Sequence, residues 1–146
     1  MLHSCSSIFS CRNPSVPLAG LKQLYLRDNH GLHGTLPATM TVMKNLTRLN
    51  VGATALGGQI PALLGSLNAL TKLWFDFTRM HGPLPASLGS LHALKTLKAG
   101  SNDITGVLPR SIGSLQNLVD MYCNDLQLTG PFSCHDELDY QAKAEP

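Results

Sequence analysis

The chain has 146 residues, enough for one domain, with a formal net charge of +2 and no run of lysine or arginine, so nothing points to nucleic acid. Hydrophobic residues make up an ordinary 43%, and aromatics only 5% because leucine fills the core. No stretch approaches the ~20 consecutive apolar residues of a membrane span, and the N-terminus lacks the basic start and apolar core of a secretory leader.

Residues 1–20 precede a repeat and are read as an N-terminal cap, with Leu18 fitting the last apolar position of a preceding coil. From Leu21 onward one phrase recurs. Leu21, Leu46, Leu70, Leu94 and Leu118 open successive units spaced by 25, 24, 24 and 24 residues. A fixed period of this length predicts a solenoid over residues 21–132, in which each unit buries its apolar face only against its neighbours.

Counting each opening leucine as position zero, position three holds Leu24, Leu49, Leu73, Leu97 and Met121, and position five Leu26, Val51, Phe75, Ala99 and Cys123. Apolar residues at alternate positions predict a short strand with these two facing inward. Position eight holds Asn29, Thr54, Thr78, Asn102 and Leu126. An Asn there has both a donor and an acceptor for the backbone of the following bend; Thr is a partial substitute and Leu126 none. The first unit carries one extra residue within Asn29–Leu32.

Each unit continues through a glycine, at Gly34, Gly58, Gly82, Gly106 and Gly130, which suits a turn with positive φ or a close backbone approach. Leu36-Pro37, Ile60-Pro61, Leu84-Pro85 and Leu108-Pro109 follow, and then apolar pairs three apart: Met40/Met43, Leu64/Leu67, Leu88/Leu91 and Ile112/Leu115. Proline tolerates the start of a short helix, and the spacing predicts one or two tight helical turns on the outer side.

This phrase, with segments such as Leu56-Gly-Gly-Gln-Ile60-Pro61 and Ile104-Thr-Gly-Val-Leu108-Pro109, resembles the plant-type leucine-rich repeat family over roughly Leu18 to Phe132. The resemblance implies an α/β solenoid: a right-handed coil with a parallel β-sheet on its concave face and short helical or 3-10 turns on its convex face. In that family the repeat builds ectodomains of receptor-like kinases and receptor-like proteins, and inhibitors of cell-wall-degrading polygalacturonases. It implies a cell-surface or secreted recognition module that binds a protein or peptide in signalling. The alternatives are a secreted inhibitor of a cell-wall hydrolase and an intracellular scaffold. With no leader in these residues, the chain is expected to be either cytoplasmic or a piece of a longer protein.

Solenoid ends need capping, and the cysteines sit where caps belong: Cys5 and Cys11 before the first unit, Cys123 and Cys134 in and after the last. Two terminal pairs predict a disulfide in each cap; the alternative is that Cys123 is a small core residue and Cys134 a free thiol. Residues 133–146 read as a C-terminal cap or frayed tail. The single sequon, Asn45-Leu46-Thr47, makes Asn45 a candidate glycosylation site, although Asn117 occupies the same column and a local hydrogen bond is the simpler role.

Positions two, four, six and seven point away from the core, and strands stacked at ~4.8 Å align them into columns on the open sheet. The candidate ligand contacts are Tyr25, Arg27, Arg48, Asn50, Lys72, Trp74, Asp76, Lys98 and Tyr122, centred on the chain's one tryptophan. An exposed Trp among Arg and Tyr has the composition of binding hot spots. Against this, Trp74 would simply lie flat beneath lysine stems. Gly52 and Gly100 would leave depressions on either side of Asp76, and the mixed charges favour a polypeptide or polar glycan over a polyanion.

Catalysis has no support in the pattern. The Gly65-Ser66, Gly89-Ser90 and Gly113-Ser114 pairs form one structural column and lack a nucleophile-elbow motif. His33 and His81 lie two units apart, too far to share a metal. No cofactor is expected.

Overall fold

The structure, a computed structural model, describes residues 18–130. Strands β1 (Gln23–Tyr25), β3 (Arg48–Asn50), β5 (Lys72–Trp74), β7 (Thr96–Lys98) and β9 (Asp120–Tyr122) form one sheet in that order. Every pairing in it is parallel, and like positions meet: Leu24 opposite Leu49, Leu49 opposite Leu73, Leu73 opposite Leu97 and Leu97 opposite Met121. The chain is a leucine-rich repeat solenoid, each coil contributing one strand to the concave sheet.

Why these segments are strands follows from their alternation. Leu49, Leu73 and Leu97 are fully buried at position three, and Val51, Phe75 and Ala99 at position five. The opening leucines Leu46, Leu70 and Leu94 are sealed equally well, and all join a single core with Leu64, Leu88 and Ile104. Burying one such side chain stabilises by about 1.5–3 kcal/mol, and here the burial arises almost entirely between neighbouring coils. Leu24 and Met121, in the terminal coils described, are only partly buried.

In the first four coils the bend after the strand is closed by position eight. Asn102 donates from Nδ2 to the carbonyls of Ala99 (2.8 Å) and Phe75 (2.9 Å), while its Oδ1 accepts from the Thr78 amide (3.2 Å) and hydroxyl. It therefore ties its own coil to the preceding one. Asn29 makes the corresponding bond to Leu26 at 2.8 Å, and Thr54 and Thr78 reach the carbonyls of Val51 and Phe75 with their hydroxyls.

The glycine segment forms more than a turn. Strands β2 (His33–Thr35), β4 (Ala55–Gly58), β6 (Arg79–Gly82), β8 (Asp103–Val107) and β10 (Gln127–Thr129) pair in parallel as a second five-stranded sheet. Leu56, Met80 and Ile104 point inward from it and are buried, so the same alternation holds a second wall. Gly34, Gly58, Gly82, Gly106 and Gly130 all have φ between 78° and 106°, and in the first four the positive φ expected of them falls within a strand instead of a free turn. The segments are too short to stand alone and become strands because each finds an identical neighbour one coil away.

The outer wall is built of 3-10 turns: Ala38–Val42, Ala62–Ser66, Ala86–Ser90 and Arg110–Ser114, with a shorter one at Leu18–Gly20. Pro37, Pro61, Pro85 and Pro109 stand immediately before the four longer turns with φ from −60° to −77°, the value their rings impose. Successive turns pack closely enough that the Ser87 hydroxyl donates to the Ala62 carbonyl, and the Ser111 hydroxyl to that of Ala86.

Candidate functional site: the open face of the concave sheet

The nine candidate residues do share one face, but in three different conditions. Tyr25, Arg48 and Tyr122 are exposed, and Trp74, Lys72 and Lys98 are half-buried. Asn50 is only 5% exposed and Asp76 8%, so both belong to the sheet more than to its surface. Asn50 turns its Oδ1 back to accept the Gly52 amide at 3.1 Å.

Trp74 lies between two ammonium groups. Lys72 Nζ, from the same strand, is 5.4 Å from the ring centre, and Lys98 Nζ, from the next strand, is 5.5 Å away. Lys98 also sits 4.7 Å from the Tyr122 ring, so its charge is shared between two aromatic faces. Each such contact is worth ~0.5–1 kcal/mol at an exposed site. The lysine stems thus partly cover the indole, as the simpler reading of the sequence proposed, yet they leave it half-accessible. The indole N–H is enclosed and has no hydrogen-bond acceptor among the described residues.

Asp76 has a partner that only three superposed coils can provide. Arg27, two coils away at the same position, donates from its guanidinium to Asp76 Oδ2 at 2.9 Å. Gly52 lies between them, and a Cβ there would fall 2.8 Å from Arg27 and 2.9 Å from Asp76 Oδ1. The depression expected above Gly52 is therefore filled by the ion pair. Arg27 is held above its ordinary pKa, chiefly by the hydrogen bond to Asp76.

A depression does open over Gly100, with a volume of about 150 Å³, walled by Phe77, Lys98, Tyr122 and Asn124 with Asp76 at its side. A Cβ on Gly100 would meet the Asn124 side chain at 2.6 Å, so the missing side chain also makes room for Asn124. This volume is well below the ~300–1,000 Å³ of small-molecule pockets and suits one side chain of a larger partner.

Phe77, Ser101 and Asn124 were not among the candidates, although Phe77 carries the clearest sign. It is 59% exposed and has φ of 55°. Asp28, Ala53, Ser101 and Asp125, at the same position of the other coils, share this left-handed conformation. For a bulky aromatic it is strained, by roughly 1–2 kcal/mol. The clue in the sequence was an aromatic in a column otherwise made of Asp, Ala and Ser.

Away from this face, the Asn45 amide donates to the Ala19 carbonyl at 2.9 Å, as Asn117 does to His92 at 2.7 Å. A glycan on Asn45 would have to displace or share that bond. Cys123 is buried and disulfide-bonded; the other cysteines of the predicted pairs, Cys5, Cys11 and Cys134, lie outside the described residues. Among the described residues no His, Cys, Asp and Glu cluster could hold a metal, and no helix is long and apolar enough to cross a membrane.

No protein-family model and no curated protein matches the chain, whereas solved structures do. It is 31% identical to the leucine-rich repeat ectodomain of the membrane receptor kinase GASSHO1/SCHENGEN3 from Arabidopsis thaliana, solved in complex with CASPARIAN STRIP INTEGRITY FACTOR 2. That match has a TM-score of 0.76 and covers 79% of this chain and 14% of the receptor. A plant peptide hormone receptor in complex with RGF2 is 30% identical, with a TM-score of 0.70, over 73% of this chain and 17% of that one. A plant ice-binding protein is 33% identical, with a TM-score of 0.73, over 75% of this chain and 36% of that one. The chain thus spans well under two thirds of each of these structures. In its repeat phrase and coil geometry, and over about three quarters of its length, the chain is similar to plant leucine-rich repeat ectodomains and proteins.

Proposed function

We propose that the chain is a recognition module without catalytic activity, and that its concave sheet binds a protein or peptide segment as part of a receptor-like protein at the cell surface or outside the cell. One observation carries this reading. On an otherwise well-packed solenoid, Trp74 remains half-accessible in a column with the exposed Tyr25 and Tyr122, beside a depression sized for one side chain. Tryptophan, tyrosine and arginine anchors dominate the energetics of protein interfaces. Solved complexes of this fold, a plant peptide hormone receptor with RGF2 and the GASSHO1/SCHENGEN3 ectodomain with CASPARIAN STRIP INTEGRITY FACTOR 2, support the same reading.

The test is selection of displayed random peptides against the full chain, followed by affinity measurement on Trp74→Ala. Replacing the tryptophan is expected to weaken concave-face binders by about 2 kcal/mol, roughly thirtyfold. The fold should persist, since the ring contributes nothing to the buried core. Binders that are indifferent to the substitution would place recognition elsewhere.

A further inference from the structure

The charge left over on the concave face, once its internal pairs are made, specifies more than a generic polypeptide. Asp76 is taken by Arg27 at 2.9 Å, and Asp120 accepts the Thr96 hydroxyl at 3.3 Å at the last strand of the sheet. Among the described residues the only ion pairs are those of Arg27 with Asp28 and Asp76. Arg48, Lys72 and Lys98, on three successive strands around Trp74, therefore have no carboxylate partner among the described residues.

Their arrangement crowds positive charge around one ring. Arg48 and Lys72 are direct register partners in adjacent parallel strands, so like charges stand side by side. Lys72 and Lys98 approach the same indole ring at 5.4 and 5.5 Å. The Arg48 guanidinium finds only the Tyr25 hydroxyl, at a long 3.4 Å. The two enclosed polar atoms without a partner among the described residues, the indole N–H and Asp76 Oδ1, lie beneath this surface, so what the face around the ring offers a ligand is the ammonium and guanidinium groups of Lys72, Lys98 and Arg48. These three cations lack a carboxylate among the described residues, and a ligand can supply one.

We infer that the occupant of this face is an acidic peptide segment, whose carboxylates are held by Lys72 and Lys98 on either side of Trp74 with Arg48 as a third cation. The inference rests on the proposed concave-face recognition and narrows its ligand class. The contacts would be charge-assisted and would relieve the repulsion between Arg48 and Lys72. The mixed charge read from the sequence is thereby resolved: the acidic residue at its centre is neutralised inside the sheet, and the cations remain for the ligand.

The experiment sorts displayed random peptides by their dependence on Trp74, using the full chain and its Trp74→Ala variant. The Trp74-dependent pool should be enriched in Asp and Glu over the starting library. A representative peptide, synthesised, should bind the Lys72→Gln/Lys98→Gln double variant about tenfold more weakly. It should bind Lys44→Gln unchanged, since Lys44 lies on the outer wall, where its ammonium meets Ser66. Its affinity should also fall steeply as salt is raised. A Trp74-dependent pool of neutral or basic composition would overturn the acidic assignment and leave concave-face recognition standing. The absence of any Trp74-dependent pool would overturn both.

Discussion

Gly65, Gly89 and Gly113 occupy the same position in three consecutive 3-10 turns, yet replacing each by alanine should have unequal results. A Cβ on Gly89 would lie 2.3 Å from the Ser111 carbonyl oxygen and 2.5 Å from the Ser111 Cβ; on Gly65 it would lie 2.2 Å from the Ser87 carbonyl oxygen. The obstacle is backbone of the next coil, which no rotamer change can remove. Relief needs the two turns to separate by roughly 1 Å, which disturbs the packing of the buried Leu88 and Ile112 and stretches the bond from the Ser111 hydroxyl to Ala86. Overpacking of this kind costs ~1–3 kcal/mol, and a weakened hydrogen bond adds about 1 kcal/mol. Against this stands a gain of ~0.4–1 kcal/mol, because alanine restricts the unfolded chain. Gly89→Ala is therefore expected to lose about 2–3 kcal/mol in urea unfolding, with Gly65→Ala similar. Gly113 has nothing within 4 Å of a Cβ among the described residues, so Gly113→Ala should be neutral or slightly stabilising. Equal midpoints for Gly89→Ala and Gly113→Ala would refute the argument that successive outer turns touch through their backbones.

Asn102→Ala should cost ~2–4 kcal/mol in the same assay, because it removes a buried side chain that serves two coils and leaves the Phe75 and Ala99 carbonyls without it. Phe77→Asn should leave stability unchanged or raise it by ~1 kcal/mol, since Asn tolerates the left-handed backbone there; the same variant should weaken any partner seated over Gly100, and a loss of stability instead would show that Phe77 supports the fold. Thiol titration of the denatured, unreduced protein should find no more than two of the four cysteines, because Cys123 is disulfide-bonded; four free thiols would contradict that bond.

The period in leucine was sufficient to read the coil, its inward columns and the Asn-closed bends, because those features are local to one unit and repeat in it. The second sheet was not legible. Its strands are three to five residues long, interrupted by glycine, and exist only through pairing with the next coil. The same limit hid the Arg27–Asp76 pair, whose members are 49 residues apart and meet over Gly52. Two side chains that look alike in a column thus had opposite fates: Asn50 was drawn into the sheet by the Gly52 amide, and Trp74, too large to follow, stayed on the surface between lysines. The left-handed position occupied by Phe77 escaped notice because four of its five residues are small or polar, which the same backbone accepts more readily.

The account turns on which wall of the coil meets a partner. Backbone amide NMR shifts, recorded on the full chain with and without a selected peptide, measure that directly. The expected perturbations cluster in 48–53, 72–77, 96–101 and 120–125, with the outer turns Ala62–Ser66 and Ala86–Ser90 unmoved. Perturbations confined to those turns, or to the second sheet, would contradict it.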